Sequence, residues 1–497
     1  FYPDLHPCSF DYFLAMKKQN RTSPLRLLSL TLVILILVLT SCTGESTPVG
    51  NSPSAIFEPT RKPTGTENSP IIPTATPEIT PIEPTPDPLI ENPEDLDGVS
   101  VRFLHAFPGQ AGSSIAAVAR EFSLTNPWGI WVNVEAFGSE TILIEALQSD
   151  LEADDPPQLI ALRPASLITL EKDLEFINLS AYFDDPQWGF NPEEQGDFFS
   201  IFLDTFLQDS GLTALPIAPS ATVLFYNQTW GEGLGFREPP STAASFRAIN
   251  CGATQYNLND NSEGNDGTGG WLINFDPDVL LSWYYAYEGE WQDSQMPVFN
   301  NEIGLGTFGT LKAYYDEGCI WIGRRSEPYS YFAERIALMY AGTLEQIPIQ
   351  QGWMEQADND DQWSVVGFPG PEEEKILVDS SGLYITETTP EEQLAAWLFA
   401  KHLTSPDVEA ALIETTFTVP VRISTVDFLG EFIESYPQWA RGVDLLDNAS
   451  FVPISDEWEL GQWVLQDAIY QIMLQDADQL PKILEELDQM IMEVTGK

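Results

Sequence analysis

The hydrophobic residues that follow residue 98 show two periods, one typical of strands and one typical of helices. Val99, Val101 and Phe103 alternate with polar residues, which predicts a strand. The next apolar positions recur at helical spacing: Ile115, Val118, Ala119 and Phe122. Ser113 is of a residue type that caps helices, so we expect this helix to begin there.

The same succession repeats further along the chain. Ile130, Val132 and Val134 predict a second strand. The following helix begins at Ser139 and has its apolar positions at Ile142, Leu143, Ala146 and Leu147, and a third strand spans Leu159–Leu162. This β-α-β-α-β order predicts a parallel sheet with right-handed crossovers, and ligands of such sheets bind at the carboxyl ends of the strands. Those ends are residues 105–110, 136–140 and 163–166.

A second α/β stretch begins with the apolar run Thr222–Tyr226 and continues to about Gly370. Within it, residues 257–270 are polar and glycine-rich. We interpret them as a loop because Gly270 stands where a calcium-binding EF-hand would have its closing acid. The C-terminal region is helical by its period, with two apolar faces that we expect in the core: Leu460, Trp463, Val464, Ala468, Ile469 and Ile472, then Leu480, Ile483, Leu484, Leu487, Met490, Ile491 and Val494.

The beginning of the chain has the pattern of an export signal. Met16 is followed by Lys17, Lys18, Arg21 and Arg26, and then by residues 27–39, which are almost all apolar. We assign a signal peptide to residues 16–41 and an upstream extension to residues 1–15, with a longer genuine N-terminus as the alternative. Small residues precede Cys42, which resembles the lipobox of bacterial lipoproteins and implies cleavage before Cys42 and lipidation of its sulfur. An ordinary signal peptide with an incidental cysteine is the alternative.

Residues 42–98 are rich in Pro, Thr, Ser and Glu and nearly lack aromatic residues. Such a segment cannot bury enough apolar surface to fold, and frequent proline favours an extended chain. We therefore expect a semi-rigid linker on the lipid anchor, with a plain disordered tail as the alternative. The folded domain is expected over residues 99–497.

Composition narrows the classes of function. The chain has 22 Lys and Arg against 75 Asp and Glu, a formal net charge of -53, which excludes binding to nucleic acid or to anionic lipid surfaces. Its histidines are His6, His105 and His402, too few for a histidine-rich metal site, so we expect no metal and no cofactor. In an exported chain, Cys251 and Cys319 are expected to form a disulfide.

Several segments resemble family 1 extracellular solute-binding proteins, the maltose-binding-protein-like sugar-binding lipoproteins of ABC transporters. They are residues 215–228 (LPIAPSATVLFYNQ), 233–242 (GLGFREPPST), 266–271 (DGTGGW), 337–343 (ALMYAGT), 366–371 (VGFPGP), 391–406 (EEQLAAWLFAKHLTSP) and 419–422 (VPVR). The resemblance implies an α/β, two-lobed type II periplasmic-binding-protein fold, in which each lobe has a mainly parallel sheet flanked by helices, with a C-terminal helical segment. Lobe 1 is expected at about residues 99–215 and 375–425, and lobe 2 at about residues 222–370 and 426–497.

The same resemblance implies a set of ligand-binding residues around a cleft between the lobes. They are Ser139, Glu140, Arg163, Ser166, Asn274, Asp276, Trp283, Thr343, Glu345, Glu457 and Trp458. Leu162 stands where the family commonly has an aromatic residue. Structural roles are the alternatives: Trp283 in a helix core, Trp458 filling a gap between lobes, and Arg163 pairing with Glu171.

The family implies a monomeric extracytoplasmic binding protein, held on the outer leaflet of the membrane through Cys42, that captures a mono- or oligosaccharide by hinge closure. It would deliver this solute to the permease subunits of an ABC importer. A surface protein for sensing or adhesion is one alternative. A secreted glycoside hydrolase is another, although no nucleophile motif is evident. A cationic or peptide ligand fits the acidic composition as well as a sugar does.

Overall fold

The computed structural model describes residues 93–167, 174–291, 298–325 and 327–496. The strands are β1 (Ser100–His105), β2 (Trp131–Ala136), β3 (Leu159–Leu162), β4 (Leu207–Gln208), β5 (Gly211–Leu212), β6 (Leu215–Asn227), β7 (Gly269–Ile273), β8 (Ile320–Ile322), β9 (Ala337–Thr343), β10 (Trp363–Val366), β11 (Phe368–Pro369), β12 (Glu374–Ile385) and β13 (Ala449–Phe451).

The α-helices are α1 (Gly109–Thr125), α2 (Glu140–Glu152), α3 (Pro164–Leu167), α4 (Ser180–Phe183), α5 (Pro192–Gln195), α6 (Ser200–Leu203), α7 (Gln228–Gly233), α8 (Ala243–Asn259), α9 (Pro277–Ala286), α10 (Glu302–Asp316), α11 (Tyr329–Ala333), α12 (Ile347–Gln356), α13 (Pro390–Leu403), α14 (Pro406–Thr416), α15 (Gly430–Ser435), α16 (Pro437–Asp444), α17 (Asp456–Leu474) and α18 (Leu480–Thr495). Within the described ranges, none of these helices combines the length and the apolar character that crossing a membrane requires.

Two groups of parallel strands form the two halves of the main sheet. In the first, β1 pairs in parallel with β2 and β3. In the second, β7 pairs in parallel with β8 and β9. Helices connect the strands of each group, because parallel strands need a crossover. The predicted parallel pairing is confirmed, and we call the parts built on β1–β3 and on β7–β9 the first and second lobes.

Two long antiparallel strands, β6 and β12, connect the lobes. β12 pairs with β3 in the first lobe, where Leu383 lies opposite Ala161. β6 pairs with β9 in the second lobe, where Thr222 lies opposite Thr343. The resulting order is β2-β1-β3-β12-β6-β9-β7-β8. The apolar run that begins at Thr222 is thus only the second half of a strand, which starts at Leu215.

Each lobe has its own hydrophobic core. In the first, Phe399 on α13 packs against Phe103 on β1, with ring centroids 5.7 Å apart. In the second, Phe246 packs edge-on against Trp283 at 4.9 Å. A third cluster lies against the connecting strands, where the ring of Phe225 stacks on that of Tyr340. A disulfide between Cys251 on α8 and Cys319, just before β8, links two elements of the second lobe.

Some local predictions were wrong. Helix α1 begins at Gly109, and Ser113 donates its hydroxyl to the carbonyl of Gly109 instead of capping the helix. Leu460 and Trp463 are 50% and 61% exposed, because the face of α17 that packs inward carries Leu465, Ala468 and Ile469. On α18, Met490 and Val494 are likewise exposed. The loop predicted at residues 257–270 is shorter, since α8 extends through residue 259 and β7 begins at residue 269.

Candidate functional site

The carboxyl ends of both groups of parallel strands face the middle of the connecting strands. β3 ends at Leu162, opposite Gly382 on β12. β9 ends at Thr343, opposite Thr222 on β6. The segments of β6 and β12 between these pairs therefore cross from one lobe to the other. Asp379 lies in this crossing, next to a register shift in the pairing of the two strands. Side chains from both lobes can meet there.

Arg163 is the centre of a charged cluster at the carboxyl end of β3. Glu140 accepts hydrogen bonds from the backbone N–H and the Nε of Arg163 at 3.1 and 2.9 Å, and from the hydroxyl of Ser166 at 2.6 Å. Nη1 of Arg163 lies 3.6 Å from Oδ2 of Asp379. Glu140 is held in the first turn of α2 by Ser139, the confirmed N-cap, whose side chain accepts from a backbone N–H.

This cluster borders a pocket of about 350 Å³, which we call the arginine pocket. It is lined by Ala106, Phe107, Ser139, Glu140, Thr141, Ala161, Arg163 and Ser381. Three of the predicted ligand residues line this pocket together: Ser139, Glu140 and Arg163. Ser166 does not line it but donates its hydroxyl to Glu140. Glu171, the alternative partner of Arg163, lies outside the described residues.

Carboxylates of the second lobe and of the connecting strand lie close enough to Arg163 for these groups to shift one another's pKa values. Burial raises the pKa of Asp278 to about 7, and the negative charges of Asp276 and Asp379 add to this effect. Burial likewise raises the pKa of Asp379 to about 6, although Arg163 opposes the rise. Burial lowers the pKa of Arg163, but Glu140, Asp379 and Glu459 more than offset this and hold it above its ordinary value. One guanidinium therefore interacts with acids of both lobes and of the connecting strand.

The acids of the second lobe are positioned by the start of α9. Asp276 is its N-cap and accepts a hydrogen bond from the backbone N–H of Asp278 at 3.0 Å. Asn274 accepts in turn from the backbone N–H of Asp276 at 2.9 Å. Asn274 also lines a separate pocket of about 270 Å³ with Phe275, Arg325 and other residues. Of the two residues predicted in this segment, the structure places Asp276 beside Asp278, which interacts with Arg163, whereas Asn274 lines the separate pocket.

A larger space, which we call the apolar cavity, has a volume of about 640 Å³ and is lined by residues of both lobes. Thr343 and Glu345, both predicted ligand residues, contribute to it from the second lobe. Most of the rest of its lining is apolar, including Phe107, Ile349 and Leu412. Phe107 lines the arginine pocket as well, so the two spaces are neighbours.

Three predicted ligand residues are buried away from both spaces. Trp283 has no exposed surface and packs edge-on against Phe246 and Phe368, so it belongs to the core of the second lobe. Trp458 is 3% exposed and packs against Trp291. Glu457 is also buried. None of the three lines either space, and core packing is the structural role of Trp283 and Trp458.

Sequence reasoning missed three acids whose negative charges interact with the guanidinium of Arg163: Asp278, Asp379 and Glu459. Asp278 follows the N-cap Asp276 by two positions, a signal that could have been used. Glu459 is adjacent to the predicted Trp458, one residue along α17. Asp379 had no usable signal, because the strand that carries it was not predicted.

The comparisons with known proteins agree on one family. Residues 117–441 match the family model of bacterial extracellular solute-binding proteins. A putative binding protein of Brucella abortus (strain 2308) is 22% identical over 380 residues, which cover 74% of this chain and 86% of the relative.

The fold is similar to those of solved binding proteins. The cyclic alpha-maltosyl-1,6-maltose binding protein of Arthrobacter globiformis has a TM-score of 0.66 at 14% identity, covering 80% of this chain and 99% of that chain. The sugar-binding protein MalE of Xanthomonas citri has a TM-score of 0.66 at 19% identity, covering 80% and 98%. UgpB of Mycobacterium tuberculosis, solved with glycerophosphocholine, has 0.62 at 16%, covering 79% and 98%. With its two lobes, connecting strands and C-terminal helices, the chain belongs to the family of bacterial extracellular solute-binding proteins.

Proposed function

We propose that this protein captures a small polar solute between its lobes and presents it to the permease subunits of an ABC importer. The observation that carries the proposal is the position of Arg163, which interacts with carboxylates of both lobes and of the connecting strand. A solute bound there would contact both lobes at once, and such shared contacts favour a closed arrangement over an open one.

A mono- or oligosaccharide is the proposed solute. Hydroxyl groups both donate and accept, so they can pair with the carboxylates of Glu140 and Asp379 and with the guanidinium of Arg163. Similar binding proteins were solved with sugar ligands, including those of Thermus thermophilus and Bdellovibrio bacteriovorus, both bound to maltotriose. The proposed ligand residues are Ser139, Glu140, Arg163, Ser166, Asp276, Thr343 and Glu345, to which we add Asp278, Asp379 and Glu459.

The proposal also includes export and anchoring. Cys42 is the proposed lipidation site, and residues 42–92 are the proposed linker to the membrane; both lie outside the described residues. The predicted linker boundary at residue 98 is corrected, because Pro93–Leu96 form a 3-10 helix and Leu96 is fully buried in the core of the first lobe. The lobe boundaries at about residues 215–222 and 370–375 are proposed as the hinge. The matched family and the relatives are described as binding proteins, so they give no support to the glycoside hydrolase alternative.

Calorimetric titration of the full-length protein with a panel of mono- and oligosaccharides tests the proposal. We expect one sugar class to bind, and to stabilise the native state by about 2.7 kcal/mol at 100 times its dissociation constant. Replacing Glu140 with Gln removes a charge that holds Arg163 and should weaken this binding about 10-fold or more.

The matched control is Glu145→Gln, an exposed acid on the same helix α2, which should leave the affinity unchanged. Equal losses in the two variants would contradict the assignment of the arginine pocket. Failure of every sugar to bind, with binding of another solute that is lost in Glu140→Gln, would overturn the sugar and retain the site.

A further inference from the structure

The apolar cavity differs in chemistry from the arginine pocket. Its lining is supplied by the start of α1, by the end of α13, by α14 with the segment that follows it, by β6, and by the end of β9 with the residues that follow it. Its volume of about 640 Å³ lies within the usual range for small-molecule sites, roughly 300–1,000 Å³. Phe107 is the one aromatic residue among the described residues that line it, and most others are aliphatic.

One carboxylate oxygen of a residue that lines this cavity lacks a hydrogen-bond partner. Glu345 lines the cavity, and its Oε2 is buried without a hydrogen-bond partner. Burial raises the pKa of Glu345, although hydrogen bonds from the hydroxyls of Ser220 and Thr343 oppose the rise. The described residues that line the cavity include no Lys, Arg or His. A buried oxygen that lacks a hydrogen bond is costly even when the other oxygen of the carboxylate is paired, so a donor from outside the chain would stabilise this group.

The second acid that lines the cavity, Glu409, has hydrogen-bond partners for both of its carboxylate oxygens. Glu409 is 6% exposed, and its two oxygens accept from the backbone N–H of Val421 and from the hydroxyl of Thr425. Glu409 therefore needs no further partner, and the unpaired oxygen of Glu345 is not a general property of acids in this cavity.

We propose that the apolar cavity binds an apolar group bearing one protonated nitrogen, which pairs with the carboxylate of Glu345. This inference deepens the proposed function: the solute is an amine, or a sugar carrying an apolar amine substituent, whose polar remainder reaches the arginine pocket past Phe107. A neutral sugar ring matches this lining less well, because apolar side chains outnumber the polar ones. The polar ones are Gln110, Thr343, Glu345, Thr404, Glu409, Thr415, Thr416 and Thr418. An organic amine with an aliphatic or aromatic body matches both the lining and the one unpaired acceptor.

The test uses calorimetric titration of the full-length protein with cyclohexylamine and benzylamine, and with the matched neutral probes cyclohexanol and benzyl alcohol. We expect the amines to bind the wild type more tightly than the alcohols. In Glu345→Gln, which keeps the volume and removes the charge, amine affinity should fall about 10- to 100-fold, the range for a charge-assisted hydrogen bond, while the affinity for the alcohols should be unchanged. The control is Glu355→Gln, an exposed acid on the following helix α12.

A second pair of variants tests the space instead of the charge. Ala111 lines the cavity in the first turns of α1, so Ala111→Phe should fill part of the volume and weaken binding of amines and alcohols alike. Ala117 on the same helix is exposed, and Ala117→Phe should have no effect. Equal amine affinity in wild type and Glu345→Gln, or no effect of Ala111→Phe, would overturn the inference.

The outcomes separate this inference from the proposed function. Sugar binding by the wild type, together with no amine binding, would refute the amine subsite alone. Amine binding that depends on Glu345, together with no sugar binding by the wild type, would support the subsite and refute the sugar assignment.

Discussion

The stability of this protein should fall as the pH rises through neutrality, and Glu409 provides a defined test. Burial raises the pKa of Glu409 to about 7, against the opposing hydrogen bonds from Thr425 and Val421. A glutamate in an unfolded chain titrates near about 4.3. Because the folded pKa is the higher one, the folded state binds the proton more tightly. Its contribution to stability is full below about pH 4 and is lost as the pH rises through about 7.

These two pKa values imply that the free energy of unfolding contributed by Glu409 falls by about 2.5 kcal/mol between pH 5 and pH 8. Asp278 and Asp379 act in the same direction, so the wild type alone cannot isolate one residue. Glu409→Gln does isolate it, because glutamine does not titrate. Relative to the wild type, this variant should gain about 2.5 kcal/mol in stability between pH 5 and pH 8.

The assay is urea unfolding of the wild type and Glu409→Gln at pH 5, 6, 7 and 8. The absolute effect of the substitution includes the changed hydrogen bonds with Val421 and Thr425, so only its dependence on pH is compared. Glu414→Gln, at an exposed position on the same helix α14, is the control and should differ from the wild type by a constant amount. A difference between wild type and Glu409→Gln that stays flat across this pH range would refute the reasoning.

Two further predictions concern the second lobe. The bond between Cys251 and Cys319 closes a loop with a sequence separation of 68, so the double serine variant should lose about 4 kcal/mol in urea unfolding by the chain-entropy estimate, and an unchanged midpoint would contradict this. A Cβ at Gly270 would lie 1.8 Å from the carbonyl oxygen of Cys319, so Gly270→Ala should destabilise the protein by about 3 kcal/mol or more. Thermal unfolding measures the effect. Gly306→Ala, on α10 with open space around the new methyl group, is the control and should not lower the melting temperature. Similar melting temperatures for these two alanine variants would show that the close approach is relieved without cost.

The parts of the fold that could be predicted are those that lie within one core. The alternation in β1 and the helical spacing in α1 arise because each element buries one face in the same lobe. The connecting strands could not be predicted in this way. β6 has prolines at positions 216 and 219, which argue against a strand, and β12 carries the polar run Asp379-Ser380-Ser381 in its middle. Both patterns arise because these strands leave one core and enter another.

The same distinction applies to the candidate site. Glu140, Arg163 and Ser166 could be predicted because the ends of parallel strands bring them together, whatever the rest of the fold does. The aromatic residues could not be assigned. Helix α9 is buried on all sides from Val279 to Ala286, so its sequence has no polar face to orient Trp283. Helix α17 is apolar on both faces, with exposed Leu460, Trp463, Tyr470 and Leu474, so its period does not show which face packs inward.

The arginine pocket and the apolar cavity should contribute differently to the discrimination between related solutes. The guanidinium of Arg163 already has Glu140 and Asp379 as partners, so a hydroxyl that binds there exchanges one hydrogen bond for another and gains little. Oε2 of Glu345 has no partner to exchange, so a donor that reaches it adds a bond that the protein alone does not make. Sites that require a specific donor discriminate strongly against analogues that lack it. Discrimination between related solutes should therefore depend more on Glu345 than on Arg163, although the arginine pocket holds more of the charged residues.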